Sequence, residues 1–185
     1  MEKVIVQNGD PVLRKKAREV LLAEISSAKI AKVLSAMQEA LLSQDDGVAL
    51  AAPQIGVSLR IFIVSKAALA LPENLKERAQ VAERRDLKRQ EGFLTFINPV
   101  IIKRSREKAL LDEGCLSVRP LYGQIKRSTK VSLTAFDEDG KKVSRGTSGL
   151  LAQVFQHECD HLDGILFIDH AVNIREVEGT TEPSQ

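Results

Sequence analysis

The chain has 185 residues, a formal net charge of +2, 43% hydrophobic residues and two cysteines. That length suits a single domain able to bury about two-thirds of its extended surface. Two thiols argue against a disulfide framework and fit a reducing compartment. No apolar run is long enough for a signal peptide or a membrane span, and no basic stretch interleaved with aromatics marks a nucleic-acid surface.

In chain order, Glu24 to Leu42 reads as an amphipathic helix, with Ile25, Ala28, Val33, Met37, Ala40 and Leu41 broadly on one face. Asp45-Asp46-Gly47 breaks it. Leu59 to Val64 is expected as a buried strand and Thr95 to Ile102 as another. Between them lies a charged insertion near residues 66–94. Within it, Lys76 to Arg89 is rich in Glu, Arg, Lys and Ala, with Leu75, Ala79, Ala82 and Leu87 at near-helical spacing. A solvated helical excursion accounts for this better than a dedicated binding element. Leu110-Leu111 leads towards Cys115. Lys130 to Phe136 alternates as a strand, Asp137-Glu138-Asp139-Gly140 makes a hairpin turn, and Gly140 to Val143 starts the return strand. The polar tail from Glu176 to Gln185 is expected to fray.

The last helix carries the most informative pattern, His157-Glu158-Cys159-Asp160-His161. Leu150, Leu151, Val154, Phe155 and Leu162 give it a helical period. Thr147 or Ser148 would cap its start, and Gly164 would end it in a left-handed conformation. Positions four apart share one face, so His157 and His161 can reach one ion. Glu158 lies beside them, able to take a proton from water without being a ligand. Only three histidines occur in the chain, and two are here. Cys159 falls on the opposite side of the helix and reads as core packing.

A further ligand must come from elsewhere. The pattern H-E-x-x-H-x-x-G-x-x-H matches as far as Gly164 and then requires histidine where Phe167 stands. Glu176, Glu178 and Glu182 lie downstream in a segment with no helical period. The best upstream candidate is Cys115, in Glu113-Gly114-Cys115-Leu116-Ser117; a lone thiol is either a soft ligand or an inert buried side chain. Asp160 likewise reads either as a partner of Arg127 that orients the helix or as a surface charge.

At this point the chain resembles the peptide deformylases. Three family motifs occur in order, G-x-G-L-A-A-x-Q, E-G-C-L-S and H-E-x-D-H. Here they are Gly47-Val48-Ala49-Leu50-Ala51-Ala52-Pro53-Gln54, then Glu113 to Ser117, then His157 to His161. Asp10-Pro11-Val12-Leu13-Arg14, Ile97-Asn98-Pro99 and Tyr122-Gly123 are lesser likenesses. Together they cover the chain apart from residues near 66–94, where family members have a shorter connection, and the tail. The first motif has Ala49 in place of its second glycine, and Arg119 stands where proline is usual.

The resemblance implies an α+β fold, with mostly antiparallel sheets packed around a central metal-binding helix in one domain, residues 1–185. The element order read from the chain itself, strands first and the metal helix last across them, is likewise an α+β layout. The resemblance also implies an enzyme that removes the formyl group from the N-terminal formyl-methionine of newly made polypeptides and releases formate. The ligands would be Cys115, His157 and His161. Glu158 would be the acid/base group, and the Gln54 amide and Leu116 N–H the oxyanion donors. Val48, Leu150 and Val154 would line the methionine pocket, with Ala49 where the substrate backbone approaches. The cofactor implied is one divalent ion, Fe(II) first, with Ni(II), Co(II) or Zn(II) tolerated. The partner is the formylated nascent peptide, with the ribosome near its exit tunnel beside it. With no acid-poor, Arg/Ser-rich start to the sequence, a bacterial cytosol is the expected location. A zinc peptidase and a non-catalytic peptide-binding module are the competing classes; the second would have lost Glu158 or a ligand, and none is lost.

Overall fold

The computed structural model describes residues 5–67 and 92–177. The excursion expected near 72–91 and the end of the tail therefore lie outside the described residues.

Among those residues, the first helix, α1, spans Ala28–Leu42. Ile30, Leu34, Met37 and Leu41 form its buried stripe. It starts four residues later than the expected Glu24. Ser27 has an extended backbone, and its side chain accepts a hydrogen bond from the Ile30 N–H, so it takes the N-cap. Leu22–Glu24 is only a short 3-10 turn, although Ile25 is still buried.

A five-stranded sheet has the order β1-β2-β3-β6-β7, with β1 Ala49–Ala51, β2 Ile61–Ser65, β3 Phe93–Arg104, β6 Lys130–Phe136 and β7 Lys142–Ser148. A three-stranded sheet has the order β4-β5-β8, with β4 Lys108–Gly114, β5 Leu121–Ser128 and β8 Val172–Glu176. Every strand pair in the two sheets is antiparallel. The return strand begins at Lys142 rather than Gly140. Asp137 accepts the N–H groups of both Asp139 and Lys141, which prolongs the turn. In β3, Asn98 adopts a positive φ of 51°. Its side-chain amide clamps both backbone groups of Val20, with Oδ1 accepting at 2.8 Å and Nδ2 donating at 2.7 Å. Asparagine tolerates that conformation better than most residues.

The second helix, α2, spans Gly149–Leu162 and follows β7 directly. Neither expected cap acts: Thr147 belongs to β7, and the Ser148 side chain makes no capping bond. Gly149, at φ 58°, instead makes the corner from strand to helix. Gly164 is left-handed, as expected, and a Cβ there would lie 2.8 Å from the Arg14 carbonyl oxygen. The Leu162 carbonyl at the helix end accepts from the Ala17 N–H and the Arg60 guanidinium. The helix is not the last element, because β8 follows it and pairs with β5.

Strand alternation explains why β2 is buried at every position. Ile61 and Ile63 face α1, in a cluster with Ile30, Met37 and Leu41. Phe62 and Val64 face α2, in a cluster with Phe155, Cys159 and Leu162. Phe62, Phe96 and Phe155 interlock with ring centroids 4.7 to 5.7 Å apart, a favourable aromatic geometry. One face of α2 is thereby fixed to the large sheet, and the opposite face is left to present side chains towards β4. No helix among the described residues is long and apolar enough to cross a membrane.

Candidate metal centre and cleft

The end of β4 and the free face of α2 meet at one point. Cys115, His157 and His161 each offer one ligand atom there, all within 4.8 Å of one another. Cys115 Sγ lies 3.2 Å from His161 Nε2, and the two histidine Nε2 atoms are 3.1 Å apart. Three donors converging on one point fit a single divalent ion. A thiolate with two imidazoles suits a borderline or soft metal, and three protein ligands leave a position open.

The neighbours orient these donors. His157 Nδ1 is 2.6 Å from Glu113 Oε1, so Nε2 is the nitrogen turned to the centre. Glu113 is gripped in turn by Arg127, which donates from Nη2 at 2.7 Å and from Nε at 3.1 Å. Arg127 Nη1 donates to Asp160 at 2.5 Å, so of the two readings open for Asp160 the ion pair is the one formed. Gln153 adds a bond to Glu113 at 3.3 Å. Burial alone would raise the Glu113 pKa, but the charge and hydrogen bonds of His157 and Arg127 hold it at about 2. Burial opposes a charged His157, yet contact with Glu113 and Cys115 shifts it well above the ordinary histidine value. Burial and the neighbouring His157 push His161 the other way.

Glu158 is buried, and its Oε2 has no hydrogen-bond partner among the described residues. Burial raises its pKa to about 7; nearby His157 opposes the shift, and the Glu113 and Asp160 carboxylates add to it. A carboxyl poised near neutrality can both take and return a proton. Cys159 sits in the aromatic cluster on the other side of α2, and burial pushes its thiol to about 12.

Gln54 approaches from the short 3-10 turn Ala52–Ile55 after β1. Its Oε1 accepts from the Ala51 N–H at 2.8 Å, which fixes the amide. Its Nε2 donates to Ser117 Oγ at 3.2 Å and lies 3.6 Å from Cys115 Sγ. These groups open into a cavity of about 470 Å3. Leu116, Val48, Ala49, Leu150 and Val154 all line it. All ten side chains singled out from the sequence are thus brought to one region.

Sequence reasoning missed the roles of Glu113 and Gln153. A signal existed for each: Glu113 alternates with Cys115 at the end of a strand, and Gln153 precedes His157 by one helical turn. Asp46, Tyr122 and Arg175 at the cleft were missed as well; they converge only through tertiary folding.

Because Arg127 and Glu113 are both buried, removing one partner strands the other. Arg127→Met is expected to lower stability by about 3–5 kcal/mol, measured as a fall in the urea midpoint at equal metal loading. An unchanged midpoint would mean that the pair contributes nothing.

An H-E-x-x-H helix with a cysteine facing it, on an antiparallel α+β scaffold, presents the donor set found in one class of metal-dependent hydrolases. The family model for polypeptide deformylase matches residues 2–177. The chain belongs to the polypeptide deformylase family. Peptide deformylase 1A, chloroplastic/mitochondrial, of Arabidopsis thaliana is 42% identical over 172 residues, covering 91% of this chain and 61% of its own length. The chain therefore spans less than two-thirds of that relative. The peptide deformylase of Halothermothrix orenii is 40% identical, with 91% and 92% covered. Among solved structures, the Met-Ala-Ser-bound class I type b peptide deformylase of Acinetobacter baumannii superposes with a TM-score of 0.76 at 31% identity, covering 92% of this chain and 99% of that one.

Proposed function

We propose that this chain is a peptide deformylase, one catalytic domain over residues 1–185 carrying a charged insertion near 66–94. It hydrolyses the formamide at the N-terminal formyl-methionine of new polypeptides. The observation that carries this reading is the convergence of Cys115, His157 and His161 beside a buried Glu158 whose Oε2 has no hydrogen-bond partner among the described residues. A divalent ion, which Cys115, His157 and His161 would hold, would supply Lewis acidity and lower the pKa of water there. Glu158 takes the proton of the attacking water and returns it to the leaving amine. The formyl C–N bond breaks, giving formate and a free methionine amine. The Gln54 amide and the Leu116 N–H donate to the oxyanion that develops on the formyl oxygen. Val48, Leu150 and Val154 receive the methionine side chain, and the substrate backbone passes Ala49.

Formate release from formyl-Met-Ala-Ser, with Met-Ala-Ser as the control, tests the reading. Cleavage of the peptide bonds instead of the formamide would make the protein a peptidase. Gln54→Ala is expected to lower kcat by about 10²–10³-fold, the scale of a lost oxyanion donor. Near-normal turnover at equal metal content would remove Gln54 from that role.

Fe(II) is the proposed native ion, with Ni(II), Co(II) or Zn(II) as substitutes. Oxygen can oxidise an Fe(II)–thiolate site and lead to metal loss. The iron-loaded protein is therefore expected to lose activity in air faster than the nickel-loaded protein. Equal survival with intact iron content would count against Fe(II). The proposed setting is the bacterial cytosol, where formylated chains leave the ribosome near its exit tunnel.

A further inference from the structure

The mouth of the cleft carries charge that the hydrolysis does not use. Arg119 and Asp46 both line the cavity and are ion-paired with each other. Asp46 belongs to the turn before β1, and Arg119 to the turn between β4 and β5, so the pair joins two segments distant in sequence.

Both positions are fixed by the motifs beside them. Gly47 sits where a Cβ would lie 2.7 Å from Leu41 and 3.1 Å from Leu116, which holds the Asp46 turn against the second motif. The Val118 N–H donates to the Cys115 carbonyl at 3.0 Å, the Leu121 N–H donates to the Val118 carbonyl at 3.0 Å, and Val118 is buried. Arg119 thus stands at a set offset from Cys115. Its side chain is 22% exposed and that of Asp46 49%. Asp46 engages only the Nη2 of this guanidinium, which has five N–H donors. A second pair, Arg175 with Asp112 at 2.9 Å, also lines the cleft.

We propose that Arg119 is a specificity-determining residue, binding a carboxylate side chain on a substrate residue downstream of the N-terminal methionine, beside the Asp46 carboxylate that already occupies one edge of its guanidinium. This rests on the deformylase reading above. Partly exposed ion pairs contribute little and exchange partners readily. A planar guanidinium can hold two carboxylates on different edges, so an acidic substrate joins Arg119 without expelling Asp46. A lysine at the same substrate position meets a like charge and must first draw Asp46 away. The cleft therefore favours acidic over basic residues beyond the methionine.

The test compares kcat/KM for formyl-Met tripeptides carrying Glu, Gln or Lys at the second or third position. Taking the Glu/Lys ratio within one preparation cancels any loss of folded or metal-loaded protein. The expected wild-type ratio favours Glu by roughly two- to fivefold, the scale of a partly exposed ion pair. It should arise in KM and shrink with added salt. Arg119→Gln should bring the ratio to one or below, and Asp46→Asn should raise it. The same ratio in wild type and both variants would overturn the proposal, as would an equal shift in Arg175→Gln, which would indicate a diffuse field. Wild-type failure on neutral formyl-Met-Ala-Ser would instead reject the deformylase reading, and this proposal with it.

Discussion

Cys115→Ala is expected to abolish stoichiometric metal binding, and His157→Ala and His161→Ala should do the same. The ligand atoms all lie within 4.8 Å of one another, and among the described residues no other cluster of His, Cys, Asp or Glu could hold an ion. Losing one of three protein ligands leaves two, and the orienting contacts cannot supply a replacement: Glu113 is committed to His157 and Arg127. Cys159→Ala is the matched comparison, because that thiol is buried on the opposite side of the helix. Elemental analysis after anaerobic purification reads the outcome. Full metal retention in Cys115→Ala would end the assignment of the thiolate as a ligand.

Glu158→Gln should separate metal binding from catalysis. The amide is nearly the same size but cannot take a proton from water. Metal content should stay at the wild-type level while turnover falls by at least ~10²-fold, the usual scale for a positioned acid/base group. The pattern of loss matters as much as its size. A fall in kcat with KM little changed indicates a group acting in the transition state, whereas a rise in KM alone would make Glu158 a binding residue.

The parts legible in sequence were those set by local period. The face shared by His157 and His161 follows from helical geometry, and Lys130 to Phe136 matches β6 residue for residue. The start of α1 slipped because the Ser27 cap overrode the apolar pattern, whereas α2 begins after Ser148 as expected, although Gly149 makes the corner and the Ser148 side chain forms no capping bond. β5 escaped notice because Gly123 interrupts its alternation. The backbone is tightly packed there, since a Cβ would come 3.0 Å from the Ala171 side chain. β8 is exposed at every position; its strand character comes from pairing with β5, which no local pattern announces. Gln54 and Leu116 had no signature of their own and were read only through the likeness of their motifs to a family. The Glu113–Arg127 grip depends on the antiparallel register of β4 and β5, so it became visible only once the strands were paired.

The convergence of Cys115 with the two histidines also has a mechanical side. Cys115 hangs from the end of the small sheet, whereas the histidines ride on the helix pinned to the large one, and 46 residues separate Cys115 from His161. An ion shared by them would act as a cross-link closing that long loop, removing chain entropy from the unfolded ensemble as a staple does. Chelation should then loosen the seam between β4 and α2 first. Amide exchange should quicken along β4 and β5 while the Phe62–Phe96–Phe155 side of the helix stays protected.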